Sequence, residues 1–385
     1  MFDTRAQCIA ALIACQFLLS CVAHADPDEE SPQREVDLRY ITDLVGVIDG
    51  GVERDVAWMG RLDVAVRSGA DFLGIPRAHA YLDLMLVHGR RFSQEMVGDA
   101  QVVSNVDAPS VLRPFEAWVE APLNRTTRLK LGYIDLNSEF DLQPVGASFL
   151  NSSFGIAPDF SQSGQNGPSI FPVTSPGALL AVEHEGWTVR VAAFDAVPGY
   201  VDHPSRFLPG PPGRGGALLV AEGDVRIAGG ELQLGGWAYT SAFPRLDGRG
   251  RGSSHGAYVQ YEHRLVDNGK GPGLDAWVRV GRAAPAVNEI GTYIGGGLRW
   301  GTEDSHLGLG LAHARRGDPA LRAEPGHRAE TAIEATAFHR INDSFAIQPD
   351  LQYVRHPGWR GTPDALVLGV RLHFNTSFGL GDGPK

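Results

Sequence analysis

Cysteine is confined to the first stretch of the chain. Cys8, Cys15 and Cys21 are the only three in 385 residues, so nothing after Cys21 can form a disulfide or a thiolate metal site. An exported chain of this size without such staples must be held by backbone ladders and packing. Long apolar runs are missing as well. After the run 9–22, no segment approaches the ~20 apolar residues of a helical membrane span. Positive charge is in the minority, with Lys and Arg at 34 against 45 Asp and Glu and a net charge of −11, and no basic stripe is present that would serve nucleic acid. The 13 histidines are scattered without ligand spacing, and His184-Glu185 lacks the second histidine of a zinc helix, so no metal and no cofactor is expected. Gly252-Ser253-Ser254-His255-Gly256 spells G-x-S-x-G, but a nucleophile elbow needs a strand before it and a helix after it. Here a Gly/Arg loop precedes and a strand-like run follows. No enzyme is read from the chain.

What is present begins with a leader. Arg5, the apolar run 9–22 and Ala23-His24-Ala25 read as a secretory signal over 1–25, too short for a membrane anchor, while Leu18-Leu19-Ser20-Cys21 also fits a lipid-attachment site. An acidic arm, 26–35, follows and is expected to be mobile; Asp26, Asp28, Glu29, Glu30, Glu35 and Asp37 stand against a single Arg34. Glycine is abundant, 48 residues, and sits inside strand-like runs as well as turns, as in Gly295-Gly296-Gly297.

From residue 36 the chain alternates with period two. In the last run, 364–374, Leu366, Leu368, Val370, Leu372 and Phe374 form one row and Val367, Gly369, Arg371 and His373 the other. The run before it sets Phe345, Ile347, Leu351 and Tyr353 against Gln348, Asp350 and Gln352, with Pro349 as the irregularity on the apolar row. Further strands are expected at 38–47, 61–67, 80–87, 115–121, 128–135, 177–183, 187–194, 217–227, 231–240, 257–265, 274–280, 293–300, 306–314 and 331–338. Such rows fit either a soluble sandwich wetted on one face or a transmembrane antiparallel β-barrel with lipid outside and a polar lumen. Composition and the strand count, about 16 at ~9–11 residues each, favour the all-β barrel. Mean hydropathy of −0.13 does not oppose it, because alternation hides lipid-facing residues from an average. The barrel is expected over 36–378 with a polar tail, 379–385, and no second domain. Between 137 and 176 alternation lapses into Ser, Asn, Gln, Gly, Pro and Phe, which predicts a long loop folded into the lumen.

Ser104-Asn105, the run 149–155, Gly167-Pro168-Ser169-Ile170-Phe171-Pro172, the run 215–223, Gln260-Tyr261-Glu262-His263-Arg264, the run 330–335 and the run 348–358 together resemble the carbohydrate-selective porin (OprB) family. The resemblance spans most of residues 36–374 and implies a sixteen-stranded outer-membrane porin of a bacterial cell, monomer or homotrimer, that passes mono- or small oligosaccharides by diffusion with weak binding. One departure is that Phe374, where a closing aromatic would end such a chain, is followed by eleven residues; Phe378 has the same parity and is the second candidate. The polar rows supply the expected pore lining: Arg61, Asp63, Asp83, Glu116, Trp118, Glu120, Arg128, Lys130, Gln260, Glu262, Arg279 and Arg299, joined by Asn151 of the inserted loop. Their signs are mixed, where a ring of one sign would select ions. Mixed charge suits neutral, hydroxyl-rich solutes, and Trp118 between Glu116 and Glu120 offers a ring for a sugar's C–H face beside groups for its hydroxyls. A general porin for small polar solutes or organic acids is the alternative, and a barrel acting as adhesin or lipid-active enzyme a more distant one. Sugars and outer-membrane lipid are the expected partners, and nucleic acid is not.

Overall fold

The computed structural model describes residues 34–380 except 71–73, 76, 201–212 and 214. The expected leader, all of the acidic arm before Arg34, and the tail beyond Leu380 lie outside the described residues. No helix among the described residues is long and apolar enough to cross a membrane.

The alternating runs form sixteen antiparallel strands: β1 (Arg34–Asp49), β2 (Val56–Gly69), β3 (His79–Gly89), β4 (Val111–Pro122), β5 (Thr127–Ile134), β6 (Ser175–His184), β7 (Trp187–Asp195), β8 (Ala217–Ile227), β9 (Gly230–Pro244), β10 (Arg251–Val266), β11 (Gly273–Ala283), β12 (Ile290–Gly301), β13 (Ser305–Arg316), β14 (Ala329–Asn342), β15 (Phe345–Arg355) and β16 (Ala365–Leu380). Each expected run falls on one of them. Every strand pairs with its sequence neighbours, and β1 also pairs with β16, Arg34 opposite Leu380, so the sheet closes into a barrel. The strands begin two residues before and end two residues after the expected bounds of 36 and 378. Phe374 and Phe378 both face outward within β16, so the closing strand continues past the first of them.

Closure and parity decide between sandwich and membrane barrel. Leu44, Leu112, Leu234, Leu309, Leu368 and Phe378, from strands all around the barrel, are each about half exposed on the outside. In water a continuous apolar band would drive association; against lipid tails it is the solvated face. The inward rows are polar and buried, as with Asp43, Asp83, Glu222, Gln260, Glu334, Gln352 and Arg371.

The two ends differ. Turns at the end carrying both chain ends are as short as 185–186, 228–229 and 343–344, whereas the opposite end carries the connections 90–110 and 135–174. Short turns face the periplasm and long loops the exterior in outer-membrane barrels.

Both long connections fold back inside. Buried carboxylates on the inward rows accept hydrogen bonds from their backbone N–H groups. Glu334 takes Leu150 N at 2.6 Å and Asn151 N at 2.9 Å, Glu262 takes Val145 N at 2.8 Å, and Glu222 takes Asp141 N at 2.9 Å. Glu330 does the same for Ala100 and Gln101, both at 2.9 Å. The loops also join each other through Asn105 N to Leu150 O and Ser152 N to Val102 O. Burying backbone donors unpaired would cost on the order of 1–3 kcal/mol each. Phe149 and Phe154 of the longer loop pack with ring centroids 4.6 Å apart and planes tilted by 33°, and lie on a strip of inward glycines. A Cβ on Gly297 or Gly310 would come within 2.8 Å of these rings, and one on Gly308 within 2.9 Å of Thr336 and 3.0 Å of Phe149. The interior glycines of β12 and β13 are therefore the seat of the loop.

Arg371, on the polar row of β16, does not stand free in the lumen. It is buried, holds both oxygens of Asp43 at 2.7 and 2.8 Å, and reaches Ser104 at 3.1 Å, which makes it a fastener between wall and loop 90–110.

Two outcomes follow from this architecture. Leu368→Arg sets a charge against the hydrocarbon and should cost about 2–4 kcal/mol near the midplane, read as a fall in the urea midpoint of the folded, heat-modifiable band on a detergent gel. Gly310→Leu should unseat Phe149 and Phe154, raising single-channel conductance in planar bilayers while the barrel still runs as the folded species.

Candidate functional site

The inward rows near the periplasmic end of β2 to β5 enclose a cavity of about 650 Å³ with the longer loop as its roof. Tyr81 from β3 and Trp118 from β4 lie on one wall, stacked with centroids 5.0 Å apart and planes 24° from parallel. They meet because Tyr81 and Trp118 are directly paired across the two strands. A β-bulge beside Asp83 also matters: Asp83 faces Glu116, while Leu84 faces Pro114, so Phe115 is the extra residue. Without it, either Arg113 and Phe115 or Glu116, Trp118 and Glu120 would point at lipid; with it, all five belong to the interior.

Charges surround the ring pair. Lys130 Nζ sits 4.2 Å from the Trp118 ring centre, and the indole Nε1 donates to Glu116 at 3.1 Å. Arg128 contacts three carboxylates, Glu120 at 2.7 Å, Glu139 at 2.7 Å and Glu183 at 2.9 Å. Lys130 pairs with Glu139 and reaches Glu120 at 3.4 Å. Burial by itself would raise the Glu139 carboxyl, but Arg128 and Lys130 outweigh it and hold this loop residue below its usual range. Arg67 and Arg190 complete the cationic side of the lining. The balance of signs is close to even, so the cavity has polar donors and acceptors without a strong preference for ions of one sign.

Of the residues expected to line the pore, the structure gathers Glu116, Trp118, Glu120, Arg128 and Lys130 at this cavity. Arg61, Asp63 and Asp83 form a neighbouring cluster higher in the barrel. Arg61 bonds Asp63 at 2.9 Å and lies over Phe115 and over Phe171 of the loop, at 4.5 and 4.9 Å. Glu262 is occupied with the backbone of Val145, and Arg299 pairs with Asp275 at 2.9 Å. Three others are out of a solute's reach. Arg279 is 0% exposed, clamped by Asp141 at 2.7 and 2.8 Å and Asp159 at 2.8 Å above the ring of Tyr258. Asn151 is buried against Gln352 at 3.1 Å, and Gln260 is buried against Leu142 O at 3.0 Å. These are fasteners of the loop, because a loop crossing a polar lumen uses the very groups that an empty lumen would show to solutes.

Tyr81, His79, Arg190 and Glu139 are lining residues that the sequence reading misses, and Arg67 shares the polar row of Arg61 and Asp63. Tyr81 and His79 share the inward parity of Asp83 and were legible from it. Glu139 comes from the loop, and no periodicity in the sequence announces where a loop residue lands. A second cavity, of about 520 Å³, opens at the exterior end beside Arg91, Asp99, Gln162, Glu289, Trp359 and Arg360. Residues of the folded loops line both cavities.

The comparisons agree with this geometry. No curated protein matches the chain. Among solved structures, the high-pH structure of Pseudomonas putida OprB is similar with a TM-score of 0.78 at 18% identity, over 94% of this chain and 96% of that one. The Acinetobacter baumannii outer membrane channel DcaP aligns with a TM-score of 0.57 at 8% identity, covering 92% and 100%. An engineered Rh. blastica porin aligns with a TM-score of 0.54 at 10% identity, covering 89% and 100%. At these identities the likeness establishes the fold. The sequence model described as carbohydrate-selective porin, OprB family, matches residues 54–375, and the chain belongs to that family of bacterial outer-membrane porins.

Proposed function

We propose that sugars make their selective contact at the edge of the Trp118–Tyr81 stack, with the ring edges against the sugar's C–H groups and Glu116, Glu120, Glu139, Arg128 and Lys130 bonding its hydroxyls. The observation that carries this reading is the stack itself, an aromatic pair capped by Lys130 and Arg67 and rimmed by both signs of charge in a cavity of about 650 Å³. That volume falls within the ~300–1,000 Å³ of small-molecule sites and suits mono- or small oligosaccharides. Weak contact at such a point favours entry yet permits release, which conduction requires. The chain acts as a channel rather than a catalyst on this reading, which rests on its family and its closed barrel.

In proteoliposomes, monosaccharides should enter faster than amino acids or charged solutes of equal size, and the rate should saturate only at high sugar concentration. Trp118→Ala, which removes a ring contact worth ~0.5–1.5 kcal/mol, should raise the half-saturating concentration roughly 2–10-fold with the barrel still folded. Equal entry of all small solutes would favour a general porin. A sugar preference unchanged in Trp118→Ala would remove this ring from the path.

A further inference from the structure

The outward rows of β11 to β15 are apolar along most of their length and then change character at the exterior end. Arg282 of β11, Arg315 of β13 and Arg355 of β15 lie at or next to the last residue of their strands, and all three are exposed. Their parity is that of Val280, Leu311 and Tyr353, which face lipid. The register brings them together. Arg282 is paired with Thr292 and Thr292 with Arg315, so two guanidinium-bearing positions flank one threonine at strand spacings of ~4.8 Å. One step toward the bilayer centre, His313 is paired with Thr331 and Thr331 with Arg355. His313 Nδ1 and Thr331 Oγ1 are 2.8 Å apart.

No Asp or Glu occupies the outward rows of these five strands. The acids beyond the strand ends make their hydrogen bonds to other groups, Asp318 to Arg328 at 2.7 Å and Asp364 to Tyr353 at 2.6 Å and the N–H of His356 at 2.8 Å. They bond none of the three arginines, although Asp318 lies within electrostatic reach of Arg315 and Asp364 of Arg355. Clustered cations beside apolar residues repel one another and lose hydration, so this arrangement is favourable when an anion is shared among them. In an outer-membrane barrel, outward positions at the exterior strand ends, beyond the apolar band, are those that meet the headgroups of the outer leaflet. An anion there is attached to a lipid, and the guanidinium fork fits phosphate oxygens two at a time.

We propose that the exterior rim of β11 to β15 binds the phosphate groups of an outer-leaflet glycolipid, with Arg282, Arg315 and Arg355 as the phosphate ligands and Thr292, Thr331 and His313 as supporting polar groups. Charge complementarity selects this occupant: three exposed arginines, no carboxylate on the same rows, and an apolar surface below for acyl chains. The bound lipid would brace the part of the wall that seats Phe149 and Phe154 from inside, since Gly297, Gly308 and Gly310 belong to β12 and β13.

The test uses the full-length mature barrel in neutral detergent micelles doped with diphosphorylated lipid A or with the same lipid stripped of phosphate, with retained lipid counted by native mass spectrometry. The wild type should retain the diphosphorylated form at least about tenfold better. R282Q/R315Q/R355Q should fall to the level of the dephosphorylated lipid, and R282K/R315K/R355K should keep an intermediate level. Each variant is first checked for the folded, heat-modifiable band. Equal retention of both lipids by the wild type would overturn the proposal without reference to any variant, as would full retention by a folded glutamine triple. Complete displacement of the lipid by millimolar inorganic phosphate would assign the site to a soluble anion. A change in the barrel's sedimenting mass on glutamine substitution would assign the rim to subunit contact. Either result would also overturn the proposal.

Discussion

Backbone hydrogen bonding in a medium without water is the constraint from which this structure follows. Each N–H and C=O within the hydrocarbon must find a partner in the protein, and a sheet meets that demand only when its edges join. The pairing of β1 with β16 is that join, and it runs from Arg34 opposite Leu380 to Asp49 opposite Leu366. With sixteen strands the closed sheet is too wide for side chains alone to fill. The interior is then occupied by loops, and the same constraint returns, because a loop drawn inside carries its own N–H groups with it.

The wall meets that second demand with carboxylates. Glu222, Glu262, Glu330 and Glu334 each accept backbone N–H donors from the folded connections, and Arg279 and Arg371 clamp loop and wall aspartates with paired bonds. One half of the lumen is thereby consumed by fastening. The other half, around Trp118, keeps its charges paired among themselves beside an open cavity. The pore's selectivity and its architecture draw on the same residue types, and position relative to the loop decides which role each one has.

Glycine has a comparable double meaning. In the sequence, Gly295-Gly296-Gly297 and the pair Gly308 and Gly310 weaken strands that otherwise alternate well. At Gly297, Gly308 and Gly310 their value is space: two phenylalanine rings lie where side chains would stand, and the loop is held by shape as well as by hydrogen bonds.

The sequence by itself determined the barrel. Period-two rows identified all sixteen strands and, apart from Phe115 at the bulge of β4, their two faces, since parity is a local property and one register slip would turn every apolar residue inward. It also marked 137–176 as a loop, and parity placed Glu116, Trp118, Glu120, Arg128 and Lys130 inside. Only the tertiary structure decided which inward residues a solute can reach. Arg279 and Glu120 look alike along their strands, yet Asp141 and Asp159 arrive from more than a hundred residues away to bury the first, while Glu120 remains at the cavity. The bulge at Phe115, the stack of Tyr81 on Trp118 and the descent of Glu139 onto Arg128 depend on pairing across strands and on where a loop lands. Those are distances between remote parts of the chain, and no local pattern encodes them.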